Sequence, residues 1–159
     1  MLEDLIFDRS EADVEHFITL RNKGYAAMTA AEKAEWDAGK MKGAYNVTDL
    51  NRVGKALNYV RDRLNLAGYV GKKAFTAKEN WTIDDVPTAV DLAYYLACVK
   101  VIHDAMAFYA TTPPPPVYSG SLDYTEANAI EKIILDIDEL ITKMLAARHF
   151  SGELYSGEV

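Results

Sequence analysis

Cysteine is almost missing from this 159-residue chain: Cys98 stands alone. An intrachain disulfide is thereby excluded, and so is a zinc site built on four thiolates. The apolar helical surroundings of Cys98 predict a buried thiol that packs as a small hydrophobe. Histidine is scarce as well. His16, His103 and His149 fall in separate segments, and no His-x-x-x-His or Glu-x-x-His pair is present to build a metal site on a helix. Basic residues are outnumbered, 17 Lys and Arg against 24 Asp and Glu, for a net charge of −7. Binding to nucleic acid draws on phosphate neutralisation by Lys and Arg, so this balance argues against it. The densest local cluster, Lys72, Lys73 and Lys78, reads as a solvated loop. A long uninterrupted apolar run is also lacking. The greasiest stretch, residues 91–110, is broken by Lys100, His103 and Asp104, which excludes a membrane span. The start, "MLEDLIFDRSEADVE", carries acids where a signal peptide needs bases, so no targeting segment is expected.

What remains is the composition of one folded domain, 50% hydrophobic and 26% charged. Helix punctuation is legible along it. Ser10-Glu11-Ala12-Asp13 approximates a capping box and Gly24 offers a stop, with Val14, Phe17 and Ile18 as a buried stripe. Thr29-Ala30-Ala31-Glu32 opens a short helix carrying Trp36 and ending near Gly39 or Gly43. Thr48 is expected to cap the third helix. Its Leu50, Val53, Leu57, Val60, Leu64 and Ala67 step by three and four, the spacing of a seam against another helix. Residues 69–87 have no helical period and predict an extended connection pinned by Tyr69, Val70, Phe75 and Trp81, with room for a short hairpin. Thr88 then caps a helix expected to run through "DLAYYLACVKVIHDAMAFYA". Being apolar almost all round, it belongs at the centre of the domain or at a subunit interface. Lys100 and Asp104 share one stripe of it with Ala93, Ala97 and Ala107, a side that faces water or admits a close neighbour.

Four consecutive prolines, Pro113 to Pro116, force extended polyproline geometry of roughly a dozen ångströms at about 3.1 Å per residue. They read as a stiff crossover, with a ligand for an aromatic-grooved module as the alternative. Thr125 is expected to cap the last helix. Its Ile130, Ile133, Ile134, Ile137, Leu140, Ile141, Met144 and Leu145 form a broad buried face, with acids and lysines opposite, Asp136 and Glu139 among them. From His149 the pattern changes. "SGEL" and "SGEV" repeat in an extended-looking tail. The fold expected is therefore mainly α: a single five-helix bundle-like domain over 1–149, three helices long and two shorter. Residues 113–116 are its crossover, short extended segments stand at both termini, and 150–159 form the tail.

No constellation for catalysis emerges. Gly71-Lys72-Lys73 lacks the upstream glycine and following Ser or Thr of a phosphate loop. No Gly-x-Ser-x-Gly elbow exists, and Cys98 and His103 lie on different sides of a helix. Asp84-Asp85 precede a helix start, where acids are electrostatically favoured. The expectation is a non-enzyme with no catalytic residues, no cofactor and no metal.

Four blocks carry a resemblance: "LIFDRSEADVE" (5–15), "MTAAEKAEWDAGKMKGAYNVTDLNRVGKALNYV" (28–60), "NWTIDDVPTAVDLAYYL" (80–96) and "LDYTEANAIEKIILDIDELI" (122–141). They resemble a family of helical proteins encoded in phages and prophages of Firmicutes, usually near tail or baseplate genes. The closing "SGELYSGEV" looks like tails in that group. Tyr45, Asn46, Thr48, Asp49, Asn51 and Arg52 are the most distinctive stretch, and their physical reading is a polar turn plus a helix cap. The resemblance implies a virion- or tail-associated structural or adaptor role, with assembly in the host bacterial cytoplasm. Partners would be further copies of the chain, another phage tail protein, or both, with no nucleic acid and no membrane. The residues expected to meet a partner are Phe150, Gly152, Leu154, Tyr155, Gly157 and Val159, through strand addition to a sheet edge. Two other fates for the tail are pairing with the N-terminal "LEDLIFD" and fraying. A second functional reading is a small acidic phage-encoded inhibitor or regulator of a host protein, its charge imitating nucleic acid.

Overall fold

The computed structural model describes residues 2–68 and 74–155, the stretch 149–155 as helical backbone. Five α-helices follow in order: α1 (Glu11–Lys23), α2 (Ala30–Ala38), α3 (Val47–Leu66), α4 (Ala89–His103) and α5 (Tyr124–Tyr155). A 3-10 turn at Tyr25–Ala27 links the first two. Among the described residues there is no strand, so the segment from residue 74 to α4 holds no hairpin. Three longer helices and two shorter ones make the mainly α domain expected from the sequence.

Local sequence explains where the helices start. Ser10, Thr29 and Thr88 each accept a hydrogen bond from the third residue of their helix, whose Asp13, Glu32 or Asp91 side chain reaches back to the cap backbone. Two caps differ from expectation. Asn46, not Thr48, opens α3: its Oδ1 accepts from Thr48 N at 2.9 Å, and Asp49 reciprocates to Asn46 N at 2.9 Å. Asp123, not Thr125, opens α5, accepting from Glu126 N at 2.8 Å while Asp123 N donates to Glu126 at 2.9 Å. In both cases an Asn or Asp two residues earlier supplies a side-chain oxygen and completes the reciprocal box. The Thr48 and Thr125 hydroxyls bind to those caps instead.

The core is a triangle of α3, α4 and α5, each packed on the other two. The α3 seam is buried as its spacing predicts, with Val53, Leu57, Val60 and Leu64 at 0% exposure. Against it lie Leu96, Val99 and Ile102 of α4 and Ile130, Ile133, Ile134, Ile137 and Ile141 of α5. A separate small cluster of Leu20, Met28 and Met41 unites α1 and α2, where Phe17 and Trp36 stack with centroids 5.7 Å apart. Ile18, expected inside, is exposed, and Leu20 takes the inward position.

Extended segments are fastened to helices by asparagines. Asn51 of α3 donates to Trp81 O at 2.8 Å and accepts from Trp81 N at 2.7 Å. Asn58 does the same for Ala77, at 2.9 Å both ways. Between them Gly54 lets the Lys78 carbonyl approach so closely that a Cβ would collide with it. Phe75 and Trp81 are buried by this docking, as their aromatic character predicts. Tyr69 and Val70, expected to help pin the connection, lie outside the described residues.

Two boundaries move. Helix α4 stops at His103 rather than near residue 110, because Asp104 turns back to bind Lys100 and His103 and the Phe108 ring folds onto His103 at 4.1 Å. Helix α5 continues to Tyr155, so residues 150–155 are helical rather than extended. An interior Gly costs a helix only about 1 kcal/mol relative to Ala, and Gly152 does not stop a helix that already runs from Tyr124. Residues 156–159 lie outside the described ones.

Helix propensity alone favours Gly54→Ala by about 1 kcal/mol. Because the obstructing atom is backbone, the substitution is expected instead to destabilise by about 1–3 kcal/mol in urea unfolding; stabilisation would disprove the docking of residues 77–79 on α3. Lys23 and the Thr29 backbone hold the Glu32 carboxyl down from 4.5 to about 2. A depressed carboxylate contributes stability above its unfolded pKa and loses it as pH falls through the folded value. The melting temperature of wild type should therefore approach that of Glu32→Gln as pH is lowered from 5 towards 2.

Candidate functional site

The most concentrated charge in the molecule is internal. Arg9, on the arm before α1, places Nη2 3.0 Å from Asp49 and 2.7 Å from Glu131. Arg52 reaches the same two carboxylates, Asp49 at 2.5 Å and Glu131 at 2.8 Å. Ile6 N donates to the second Glu131 oxygen at 2.6 Å, and Asn46 N to the second Asp49 oxygen at 2.9 Å. Asn128 closes the arrangement by clamping the Arg9 backbone, accepting at 3.0 Å and donating at 2.8 Å. Two cations meet two anions, and every carboxylate oxygen is occupied. Burial alone would lower the Arg52 guanidinium, but hydrogen bonds and charge from Glu131 and Asp49 outweigh it and hold it above its usual value. Beside this clasp the Tyr45 and Tyr95 hydroxyls bond to each other, and burial pushes both phenols up. The arrangement binds the arm, α3 and α5 together.

Sequence reasoning did not single out Glu131 and expected Asp136 on the polar side of α5, yet Glu131 is 0% and Asp136 1% exposed. The N-terminal arm covers the first. The chain after α4 covers the second, where Thr112 donates to Asp136 at 2.7 Å and Lys132 pairs with it at 2.5 Å. Periodicity within a helix cannot register a segment that crosses its polar side. The remaining candidates lie where the bland reading puts them. Cys98 is buried, and burial raises its thiol. His16 is exposed beside Glu35 at 3.1 Å, while His103 is buried against Phe108. Among the described residues no group of three or more His, Cys, Asp or Glu side chains could hold a metal ion, and no helix is long and apolar enough to cross a membrane.

Of the expected partner-binding residues, Phe150, Gly152, Leu154 and Tyr155 fall in the final turns of α5, and Gly157 and Val159 lie outside the described residues. The strongest surface feature is elsewhere. Helix α4 buries Tyr95, Leu96, Val99 and Ile102, yet its other side is apolar too: Val90 is 78% exposed, Tyr94 49% and Val101 37%. Exposed Ala97 completes that stripe. Along one flank runs the proline crossover, leaving an open apolar groove of about 510 Å³ between Ala93, Ala97 and Lys100 and the segment Pro115–Tyr118. Val117 on the strut is 81% exposed. On the other flank the Tyr94 hydroxyl is steadied by Thr76, accepting from its N–H at 3.3 Å and donating to its carbonyl at 3.4 Å. Of the two alternatives for the small-residue side of α4, the structure shows the one that faces water: Ala93, Ala97 and Lys100 are exposed, with the crossover forming only the far wall of the groove. A second cavity, about 450 Å³, opens between Phe17, Trp36, Met41 and Leu122 and is also mainly apolar.

Compared with known proteins, the chain matches no protein-family model, no curated protein and no solved structure.

Removing one member of a buried ion network strands its partners, at a typical cost of about 3–5 kcal/mol. Glu131→Ala, which leaves two guanidinium groups without their shared acceptor, is expected to lose that much in urea denaturation. A loss below about 1 kcal/mol would mean that the clasp is solvated and does not hold the arm.

Proposed function

We propose that this chain is a structural or adaptor protein of a phage particle, associated with the tail or virion, and that it works by docking an apolar helix face against another subunit. The observation that carries the reading is the outer face of α4. A helix apolar on every side is stable only when covered, and large exposed apolar patches on a folded domain mark interaction sites. Val90, Tyr94 and Val101 stand uncovered along one helix, whereas the other strongly exposed apolar residues, Leu66, Ile83 and Val86 among them, lie at helix ends and in connections. The buried charges support the same view, since Arg9, Arg52, Asp49 and Glu131 are consumed in holding the fold. The phage context rests on the sequence resemblance alone. Strand addition by residues 150–155 is not part of the proposal, because their backbone is helical.

The competing reading, an acidic mimic that inhibits a host protein, calls for acids displayed on one continuous face. Here several acids are instead paired with bases at scattered points of the surface: Asp8 with Lys42, Glu32 with Lys23, Asp104 with Lys100, Asp138 with Arg63 and Glu139 with Lys143. Mass spectrometry of purified particles from the strain that carries the gene separates the two. A structural component is expected at a fixed copy number per particle. Its presence in the cell lysate together with its absence from particles would overturn the proposal and favour the inhibitor.

A further inference from the structure

We infer that the occupant of the exposed α4 face is the α4 of a second copy of this chain, lying antiparallel about a two-fold axis between Tyr95 and Leu96. This inference rests on the assembly reading above and names its partner.

The uncovered side chains of α4 are Ala89, Val90, Ala93, Tyr94, Ala97, Lys100 and Val101, and through them runs a line of four, Val90, Tyr94, Ala97 and Val101. Their steps of four, three and four are the alternation of a coiled-coil seam, on a face narrow enough for one helix to cover. The order of sizes is its own complement. When the helix is reversed about the midpoint between Tyr95 and Leu96, Val90 meets Val101 and Tyr94 meets Ala97. The large ring of each copy falls on the smallest side chain of the other, and two layers of equal valines close the ends. A two-fold contact requires this property, because each residue must suit what the symmetry brings to it. A face shaped for an unrelated protein carries no such constraint.

The surroundings agree. Lys100 flanks the seam beside Ala93, and the reversal sets Lys100 of one copy level with position 91 of the other, so the two ammonium groups do not meet. Lys100 also remains paired with Asp104 on its own helix. Antiparallel alignment brings the positive end of each helix dipole to the negative end of its neighbour. Two chains of charge −7 thus approach through a strip whose only cation is locally balanced. The groove beside Pro115 and Pro116 gives the incoming helix a wall to lie against, and exposed Val117 lengthens the contact. A seam of about three turns is at the small end of specific interfaces, so the dimer should be concentration-dependent, with a dissociation constant on the order of micromolar or weaker.

The test uses the full chain. Val90→Cys and Val101→Cys are made separately; both sites are exposed, native Cys98 is buried, and circular dichroism checks the fold. Mild oxidation of an equimolar mixture should give a disulfide between position 90 of one variant and position 101 of the other, with little cross-linking of either variant alone. Sedimentation velocity of the unmodified chain should reveal a dimer that Ala97→Glu abolishes. Cross-linking of Val90→Cys to itself, no cross-link in the mixture, or a dimer untouched by Ala97→Glu would each overturn the inference. A strictly monomeric chain found at fixed copy number in particles would sink the second-copy inference and leave the assembly reading standing. A dimer absent from particles would do the reverse.

Discussion

One buried carboxylate organises this protein. Glu131 sits at 0% exposure near the start of α5 and is tolerable there only because two arginines and the Ile6 amide converge on it. An isolated charge in that position would cost several kcal/mol. The compensation comes from far along the chain: Arg9 is 122 residues away and Arg52 is 79. The N-terminal arm, α3 and α5 are therefore required to be in place together. Asp49 belongs to the same network and also completes the Asn46 capping box, so the start of α3 and the docking of the arm are a single event.

The second recurring device is an asparagine on a helix that pairs with both peptide groups of one residue in an extended segment. It occurs at Asn51 with Trp81, Asn58 with Ala77 and Asn128 with Arg9. Each supplies the donor and the acceptor that a neighbouring strand would otherwise provide. That is how a domain with long irregular connections satisfies its backbone without a sheet among the described residues. Gly54, between the first two clamps, is the cost in helix propensity of bringing the segment so near. Burial of Phe75 and Trp81 is what it gains.

Local features were readable from the chain alone. Capping boxes at Ser10, Thr29 and Thr88 involve partners three residues apart, and the α3 seam follows from spacing within one helix. The omissions and misplacements share a cause. Glu131 and Asp136 lie on the nominally polar side of α5, and their burial depends on segments whose paths no periodicity encodes. The early end of α4 depends on Phe108 folding back onto His103. For the candidate interface, the all-round apolar character of α4 was visible, but the side left open was not, because α3 and α5 decide it. Asn51, Asn58 and Asn128 gave no usable signal, since a polar helix residue reads as solvent-facing until its partner is known.

The proline run between α4 and α5 has a consequence for how such a chain can vary over time. A polyproline segment completes one turn every three residues. Inserting or deleting a single proline would not merely change a length by about 3 Å; it would rotate everything downstream by about a third of a turn. Val117 and Tyr118 would then leave the groove beside Ala97. Drift in this connection should be indexed in triplets, so the crossover behaves less like a tether than like a threaded rod that sets the phase of the face it borders.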